Sequence, residues 1–596
     1  MLKEVSAGRS GTRSHGARLI VIHIVERGPR SRLLAASRFL AAGKKNAPVD
    51  RFLVLGAPGD GDQLQRTFGP QALTPSELLT PSDVDRVNLE TYRVSIAIGS
   101  QLVSPPHVDF PVGDVHYVSI QNWVNRLLMD REVLLLALQS VGLDRCIILT
   151  SHLTHGRLLA NDLRRANVQV QLRGIPDLPF SLPPTDNSGP RVVRIEDPMA
   201  REGVLLVSES PPMDLMFERV EDALPANILS LISRVTYTAP PHRSRVGLVR
   251  VSPPQGTGSA SSGSGRVRLA SVPSRIPALI NESLPQLCKM IDRRHLPLQV
   301  SFVPHVHEIL DHLHPVVVVV GNDRHWTGQL WVRIAKSRGV ATMCLQDGVA
   351  ADNPSWFTAS SDWLGASSEL WPRLLASRGT TPSVVRVVGQ PRNDSLMVPG
   401  LAGVGIGPQR GNSIGLLALQ AIHGGDYLSA ILEALRGVQG LRLIIRPHPA
   451  LPIMEMEDII HAHGNEYASL EYGISVVDQL AACDFVITEY STVALEAVLL
   501  GKPVVSVTLS GQVNKLPLGD MGLALEARTR TELLLAVLAI MNDRGVRRTP
   551  QVSERGIREL IGPADGAAGT RAASMITELF QIQTTRRFGS TDGESE

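Results

Sequence analysis

Cysteines, aromatic residues, an excess of one charge and long apolar runs are all scarce in this chain, and each scarcity removes a class of protein. The four cysteines, Cys146, Cys288, Cys344 and Cys483, form no Cys-x-x-Cys pair. Their spacing excludes a zinc finger and a disulfide framework. Three of them sit in apolar runs (Arg145-Cys-Ile-Ile-Leu-Thr150, Ala341-Thr-Met-Cys-Leu345 and Ala481-Ala-Cys-Asp-Phe-Val-Ile-Thr488), which reads as buried free thiols in a reducing cytoplasm. Aromatics make up 4% of the residues, and 59 basic against 57 acidic side chains leave a net charge of +2. Nucleic-acid binding ordinarily needs a concentrated basic surface and stacking platforms, so that class is disfavoured. No run approaches the roughly 18–20 apolar residues of a membrane span. The all-valine run in Pro315-Val-Val-Val-Val-Val320 has the length of a buried strand. Residues 1–17 are basic and small but lack the apolar centre of a signal peptide.

What is present describes a globular chain, 43% apolar and 19% charged. At 596 residues it exceeds one hydrophobic core. About three or four domains are predicted. Short β-branched runs alternate with amphipathic stretches of helical length: 19–25 then 31–42, 146–150 then 156–166, 316–320 then 327–337. Further strands are expected at 340–345, 413–419, 441–445 and 485–488, the last followed by a helix over 492–500. Apolar strands alternating with helices indicate parallel sheets covered on both faces, hence an α/β fold. Stretches rich in Pro, Gly and Ser at 181–190, 253–265 and 399–408 read as linkers. They divide the chain into an N-terminal α/β unit of unknown role (1–180), a middle domain (200–398), a C-terminal domain (411–580) and a disordered tail (581–596).

The most informative stretch is Leu441-Arg-Leu-Ile-Ile-Arg-Pro-His-Pro449. A buried strand runs into Arg446, and His448 stands between prolines that bias Arg446 and His448 toward extended backbone. Open α/β sheets bind ligands at the carboxyl ends of their strands, so a cation and an imidazole there suggest an anion site. The second stretch is Asp484-Phe-Val-Ile-Thr-Glu-Tyr-Ser-Thr-Val-Ala-Leu-Glu-Ala-Val-Leu-Leu-Gly-Lys-Pro503. Here a strand ends at Thr488, and Ser491 and Thr492 open a helix whose N-terminus carries about half a positive charge, a phosphate cradle. Glu496, four residues after Thr492, shares its helix face and can meet a ribose. Taken singly, a Pro-His-Pro run is as well explained by a strand break, and Ser491 by an ordinary N-cap. Together, at successive strand ends of one sheet, they point to a ligand.

Arg-Pro-His-Pro followed by D-x-x-x-[TS]-x-x-S-[ST]-x-x-x-E-A-x-x-x-G-K-P resembles the C-terminal half of GT-B transferases that build bacterial surface polymers. The nearest families are the CDP-glycerol glycerophosphotransferases and the capsule-type Kdo and sialic acid transferases; the UDP-N-acetylglucosamine 2-epimerases are more distant. The resemblance is good over about 310–510 and absent before 200. It implies two facing Rossmann-like domains, with the N-terminal unit in front of them. It also implies a donor-binding set of Arg446, His448, Tyr490, Ser491, Thr492, Glu496 and Lys502, with His448 on the nucleotide and the hydroxyl pair on its phosphates. In the middle domain Gln346-Asp-Gly348 is similar to a Gln-His-Gly element whose His is a candidate base; Asp347 stands in its place and is the expected catalytic residue. Val387-Val-Gly-Gln-Pro-Arg-Asn-Asp394 resembles the strand end that closes the first domain and reads as structural, lining the cleft.

Other signals are set aside. Asp60-Gly-Asp62 matches a metal–diphosphate triplet but lies in a Gly/Pro turn outside the resemblance. His305, His307, His312 and His314 lack the spacing of a zinc helix. His152 and His155 read as polar surface, and Gly403-Val-Gly-Ile-Gly407 follows no strand. Neither a cofactor nor a metal is expected. The expected reaction moves a sugar, sugar acid or polyol-phosphate from a nucleotide donor to a hydroxyl of a glycan, lipid-linked or polymer acceptor. The protein would be cytoplasmic, associate with membranes at most peripherally and bind no nucleic acid. A nucleotide-sugar 2-epimerase or hydrolase is the enzymatic rival, and a non-catalytic nucleotide-binding scaffold the rival from another class.

Overall fold

The computed structural model describes residues 19–23, 51–55, 72–73, 75–106, 108, 110–143, 145–150, 153–174, 203–228, 230–234, 249–250, 266–273, 275–378, 381–397, 413–420, 425–448, 451, 453–464, 466–509, 516, 518–542 and 553–588. The three linkers, the 31–42 helix, Asp60-Gly-Asp62, His152 and Gly403–Gly407 fall outside them, wholly or for the most part.

Strands β1 (Leu19–His23), β2 (Arg51–Leu55), β3 (Ala72–Leu73), β5 (Arg145–Thr150) and β6 (Gln169–Gly174) form a parallel sheet in the order β3-β2-β1-β5-β6, while β4 (Leu102–Val103) pairs with β10 (Arg268–Leu269) elsewhere. The middle sheet holds β7 (Val204–Ser208), β8 (Ser230–Arg234), β9 (Val249–Arg250), β11 (Val317–Val320), β12 (Ala341–Leu345), β13 (Trp363–Ala366) and β14 (Val384–Val387), in the order β14-β13-β12-β11-β7-β8-β9. The third holds β15 (Ser413–Ala418), β16 (Leu441–Arg446), β17 (Ala468–Leu470), β18 (Phe485–Thr488), β19 (Val504–Val507) and β20 (Leu525–Ala527), in the order β17-β16-β15-β18-β19-β20. Every strand pair in the middle and third sheets is parallel. Each sheet grows outward from its first strand, returns, and grows the other way. This is the doubly wound arrangement, with a crevice where the order reverses. In the middle sheet the reversal falls between β7 and β11, and in the third between β15 and β18.

Strand composition explains the layering. All four residues of β11 are valines and all are buried. A strand without polar alternation needs cover on both faces, and helices supply it. One face of the middle sheet is continuous with the helices of the N-terminal unit. Leu205, Val207, Val318 and Val320 pack in the same cluster as Val124 and Leu127 of α2 (Tyr117–Val141). That unit also grips the loop after β12: Asn88 on α1 (Pro81–Gly99) donates to the carbonyl of Asp352 at 2.9 Å, and Tyr92 meets Phe357 edge-on at 5.6 Å.

The other face is covered by α3 (Pro211–Ala223) and by the end of the chain, α6 (Ala568–Phe588). Ala572, Met575, Ile576 and Leu579 are buried against Val204, Leu206, Val317 and Met343. Burying large apolar side chains is worth about 1.5–3 kcal/mol each, so α6 is tied firmly to the middle sheet. This corrects two expectations. Residues 553–556 still pack on Met521–Leu523, but from Arg558 the chain returns to the middle domain instead of completing 411–580, and the helix continues to Phe588, so the tail expected from 581 is ordered at its start. The return needs a close approach. Gly562 adopts φ +80°, and a Cβ there would lie 1.9 Å from the carbonyl oxygen of Ser367.

His155 is a further correction. It is buried, with Nε2 3.3 Å from Asp130, because its helix turns that face onto α2. Cys146, Cys344 and Cys483 are buried free thiols. Among the described residues no helix is long and apolar enough to cross a membrane.

Candidate active site

The carboxyl ends of the middle and third sheets meet, and Asp347, Arg446 and Glu496 of the charged residues expected from the sequence lie at that junction. On the third-sheet side β18 ends at Thr488, and α5 (Thr492–Leu499) begins just after it. Ser491 is its N-cap, with Oγ accepting from the backbone N–H of Val493 at 3.2 Å. Thr492 is the first helical residue, and Tyr490 is half-buried beside the cap. One turn on, Glu496 is buried at 7% exposure, and its Oε2 has no hydrogen-bond partner.

Arg446 ends β16. One of its terminal nitrogens donates to the carbonyl of Ile474 at 2.8 Å and to the side-chain oxygen of Gln479, on α4 (Val476–Ala482), at 2.6 Å, so the guanidinium is held in place. Burial lowers its pKa, and the Glu496 carboxylate opposes that shift. His448 is half-buried two residues on, its carbonyl accepting from the Leu451 N–H at 2.9 Å. Registers place Arg446 level with Ala418 and Ala418 level with Thr488. β16 and β18 are therefore not adjacent: β15 lies between, and the two tips are about 10 Å apart at the usual strand spacing. Leu419, which follows β15 and donates its N–H to the Arg446 carbonyl at 3.0 Å, thus stands on the same rim, which sequence reasoning missed.

Lys502 is not brought to this rim. Its Nζ donates to the carbonyl of Cys483 at 2.8 Å, ahead of the first residue of β18. Helix α5 runs back along the sheet, so residues after it start the next strand at the opposite edge. The expectation that Lys502 meets the donor is corrected accordingly.

On the middle-sheet side Asp347 follows β12, with its N–H donating to the carbonyl of Gly321 at 2.9 Å. Gln346 is fully enclosed: it accepts from the Ser367 N–H at 3.0 Å and donates to the Gly348 carbonyl at 3.1 Å. Gly348 takes φ +79°, which a side chain would resist, and this completes the turn that presents Asp347. An Asp347 carboxylate oxygen lies 3.0 Å from Nη1 of Arg392, whose Nη2 is 3.9 Å from Glu496. One guanidinium thus stands between carboxylates from two domains. Burial raises the Glu496 pKa, and Arg392 and Arg446 only partly offset it.

Arg392 belongs to the stretch read from sequence as structural. Both roles are present: Arg392 reaches the cleft, and Asp394, two residues on, accepts from the N–H groups of Ala568 and Gly569 at 3.1 and 2.7 Å, capping α6. The sequence signal was an arginine immediately after a strand-end proline. Glu209, which follows β7, was also missed. Its Oε1 is closed off without a partner, and its carboxyl lies close enough to Thr327 and Asp347 to feel both.

Beside this cluster Asp323 Oδ2 accepts from the N–H groups of Ser360 and Ser361 at 2.7 and 2.8 Å while its Oδ1 is buried without a hydrogen-bond partner, and the guanidinium of Arg324 lies 3.3 Å over the Trp356 ring. These side chains hold the wall together. Among the described residues no three His, Cys, Asp or Glu side chains gather as metal ligands. His307, from the histidine cluster, lies 2.6 Å from Arg338.

Two doubly wound domains with facing carboxyl edges, closed by a C-terminal helix that returns to the first, make up the GT-B architecture. Here it is preceded by a further parallel α/β unit. No protein-family profile and no curated protein matches the chain. Among solved structures it is similar to a UDP-GlcNAc 2-epimerase from Neisseria meningitidis bound to UDP-GlcNAc (13% identity, 64% of this chain and 100% of that one, TM-score 0.41). It is also similar to the wall teichoic acid polymerase TagF (12% identity, 65% and 92%, TM-score 0.35). A third is an O-GlcNAc transferase from Thermobaculum terrenum (16% identity, 84% and 86%, TM-score 0.34).

Proposed function

We propose that this chain transfers a sugar, sugar acid or polyol-phosphate from a nucleotide-activated donor to an acceptor hydroxyl in the cytoplasmic assembly of a surface glycan or polymer. The observation that carries the reading is the rim of the third sheet: a Ser491-capped helix N-terminus at one strand tip, the anchored Arg446 cation at another, and the buried, unpartnered Glu496 oxygen one turn below. A nucleoside diphosphate supplies what each lacks. Its phosphates take the positive end of the α5 dipole, the Ser491 and Thr492 hydroxyls and the Arg446 charge, and its ribose hydroxyls donate to Glu496. His448 and Tyr490 border the base. As the donor bond breaks, negative charge collects on the leaving phosphate, where fixed dipoles and cations lower the barrier. The acceptor enters from the middle-sheet wall, which carries Asp347, Arg392 and Glu209.

The test is a thermal-shift panel of CMP-, CDP-, UDP- and GDP-linked donors. A ligand at a hundred times its dissociation constant adds about 2.7 kcal/mol of stability, a shift of a few degrees. One base should stand out; a melting point unmoved by every donor would sink the reading. The concentration of carboxylates on the acceptor wall also suits a 2-epimerase or hydrolase. A sugar nucleotide epimerised or cleaved with no acceptor present would favour that outcome.

A further inference from the structure

We propose that Glu209 takes the proton from the acceptor hydroxyl, and that Asp347 serves to hold Arg392; this rests on the transferase reading above. Glu209 follows β7, the first strand of the middle sheet, and β7 adjoins β11 where the strand order reverses, with Val207 level with Val320. The crevice of a doubly wound sheet opens there. Asp347 is one strand further out, beyond β11. The two backbones therefore stand about 10 Å apart, and the carboxyl groups they carry are close enough to interact.

Their surroundings differ. Asp347 is already bonded to the Arg392 guanidinium, and accepting a proton would cost it that partner. Glu209 Oε1 is buried with no hydrogen-bond donor, an arrangement that costs stability and calls for a role in chemistry or binding. Burial raises its carboxyl to about 7, with Asp347 adding to the rise and Thr327 opposing it. The charged groups on the elements around it are Asp347 and Arg392, Asp323 and Arg324 after β11, and Asp214 in the first turn of α3. A base that titrates near the working pH is the effective one.

The step balances without further reagents. The acceptor O–H proton passes to the Glu209 carboxylate, and the acceptor oxygen bonds to the donor's electrophilic centre. The bond to the leaving phosphate oxygen breaks, its electron pair remaining on the nucleotide opposite the α5 N-terminus and Arg446. Water takes the proton from Glu209 after product leaves.

The experiment measures nucleotide release from the CMP-, CDP-, UDP- and GDP-linked donors, with water as acceptor, across pH 5.5–9 for wild type, Glu209→Gln and Asp347→Asn. Thermal denaturation of the ligand-free proteins accompanies it. We expect wild-type turnover to climb as pH rises through about 7. Glu209→Gln should lose roughly 10²–10⁴-fold in kcat with little change in donor KM. Stability should move the other way. A carboxyl raised in the folded state stabilises below its unfolded pKa and loses that contribution as pH rises through its folded value. Wild type should therefore lose melting temperature relative to Glu209→Gln on going from pH 5 to pH 8. Glu209→Gln turnover within about threefold of wild type, with Asp347→Asn inactive, would overturn the assignment and leave the donor site standing. A melting difference between wild type and Glu209→Gln that is flat across pH would overturn it too. A wild type that releases nucleotide from none of the donors would remove the transferase reading and this inference with it.

Discussion

The two walls of the cleft are built from different material. The hydroxyl-bearing part of the third-sheet wall is a short, contiguous stretch in which one strand end and one helix start present hydroxyls, a helix N-terminus and a carboxylate within a turn of each other. The middle-sheet wall gathers Glu209, Asp347 and Arg392 from three distant segments, and its central contact is an ion pair. One wall offers positive dipole to an anion; the other holds negative charge around a single cation. The contrast teaches that binding a leaving group can be written locally, whereas handling a proton needs groups whose environments differ, and only the assembled fold supplies those differences.

The sharpest way to disturb the contrast is to remove the cation between the walls. In Arg392→Ala, Asp347 loses its partner and Glu496 its nearer counter-charge. A loss of about 1–3 kcal/mol is expected in urea denaturation. The pH dependence has a definite sign. Burial already raises the Glu496 carboxyl, and removing Arg392 raises it further. The deficit should be smallest in acid, where the group is protonated, and should widen as pH rises through its folded pKa. A deficit that shrinks with rising pH would show that Glu496 does not depend on Arg392.

A smaller effect should follow from Asp394→Ala, which uncaps α6. Losing such a cap costs about 1 kcal/mol. The loss should appear as faster hydrogen exchange at the start of α6, with nucleotide affinity unchanged. Equal exchange in both proteins would place the tether elsewhere, in the Arg373–Glu559 pair or the buried face of the helix.

The smallest change is expected from Lys502→Ala, whose ammonium serves the Cys483 carbonyl at the far edge of the sheet. Calorimetric titration with a nucleoside diphosphate should give the wild-type dissociation constant. A tenfold weakening would restore Lys502 to the donor site.

Legibility in the sequence follows the same division. The strands at 316–320, 340–345, 413–419, 441–445 and 485–488 stand within a residue of their expected limits, because valine- and isoleucine-rich runs buried on both faces have few alternatives. The rim of the third sheet was legible because Ser491, Thr492 and Glu496 lie within one local motif. Lys502 belongs to the same string yet lands at the other edge, since sequence proximity says nothing about which way a helix carries the chain. Glu209 and Arg392 were not singled out. An acid in Ser208-Glu-Ser-Pro-Pro212 and an arginine in a turn are ordinary until the sheets face each other. The return of 558–588 to the middle domain was equally hidden, being a matter of tertiary packing around Gly562 and not of periodicity.

The central claim is that the strand tips of the third sheet grip the phosphates of a nucleotide. Its most direct test is calorimetric titration of wild type and a Ser491→Ala/Thr492→Ala double variant with the nucleoside diphosphate selected by the donor panel, at matched thermal stability. Hydrogen bonds to charged groups are worth about 1.5–3 kcal/mol, so the double variant should bind at least roughly tenfold more weakly. Equal affinity in the two proteins would contradict the account.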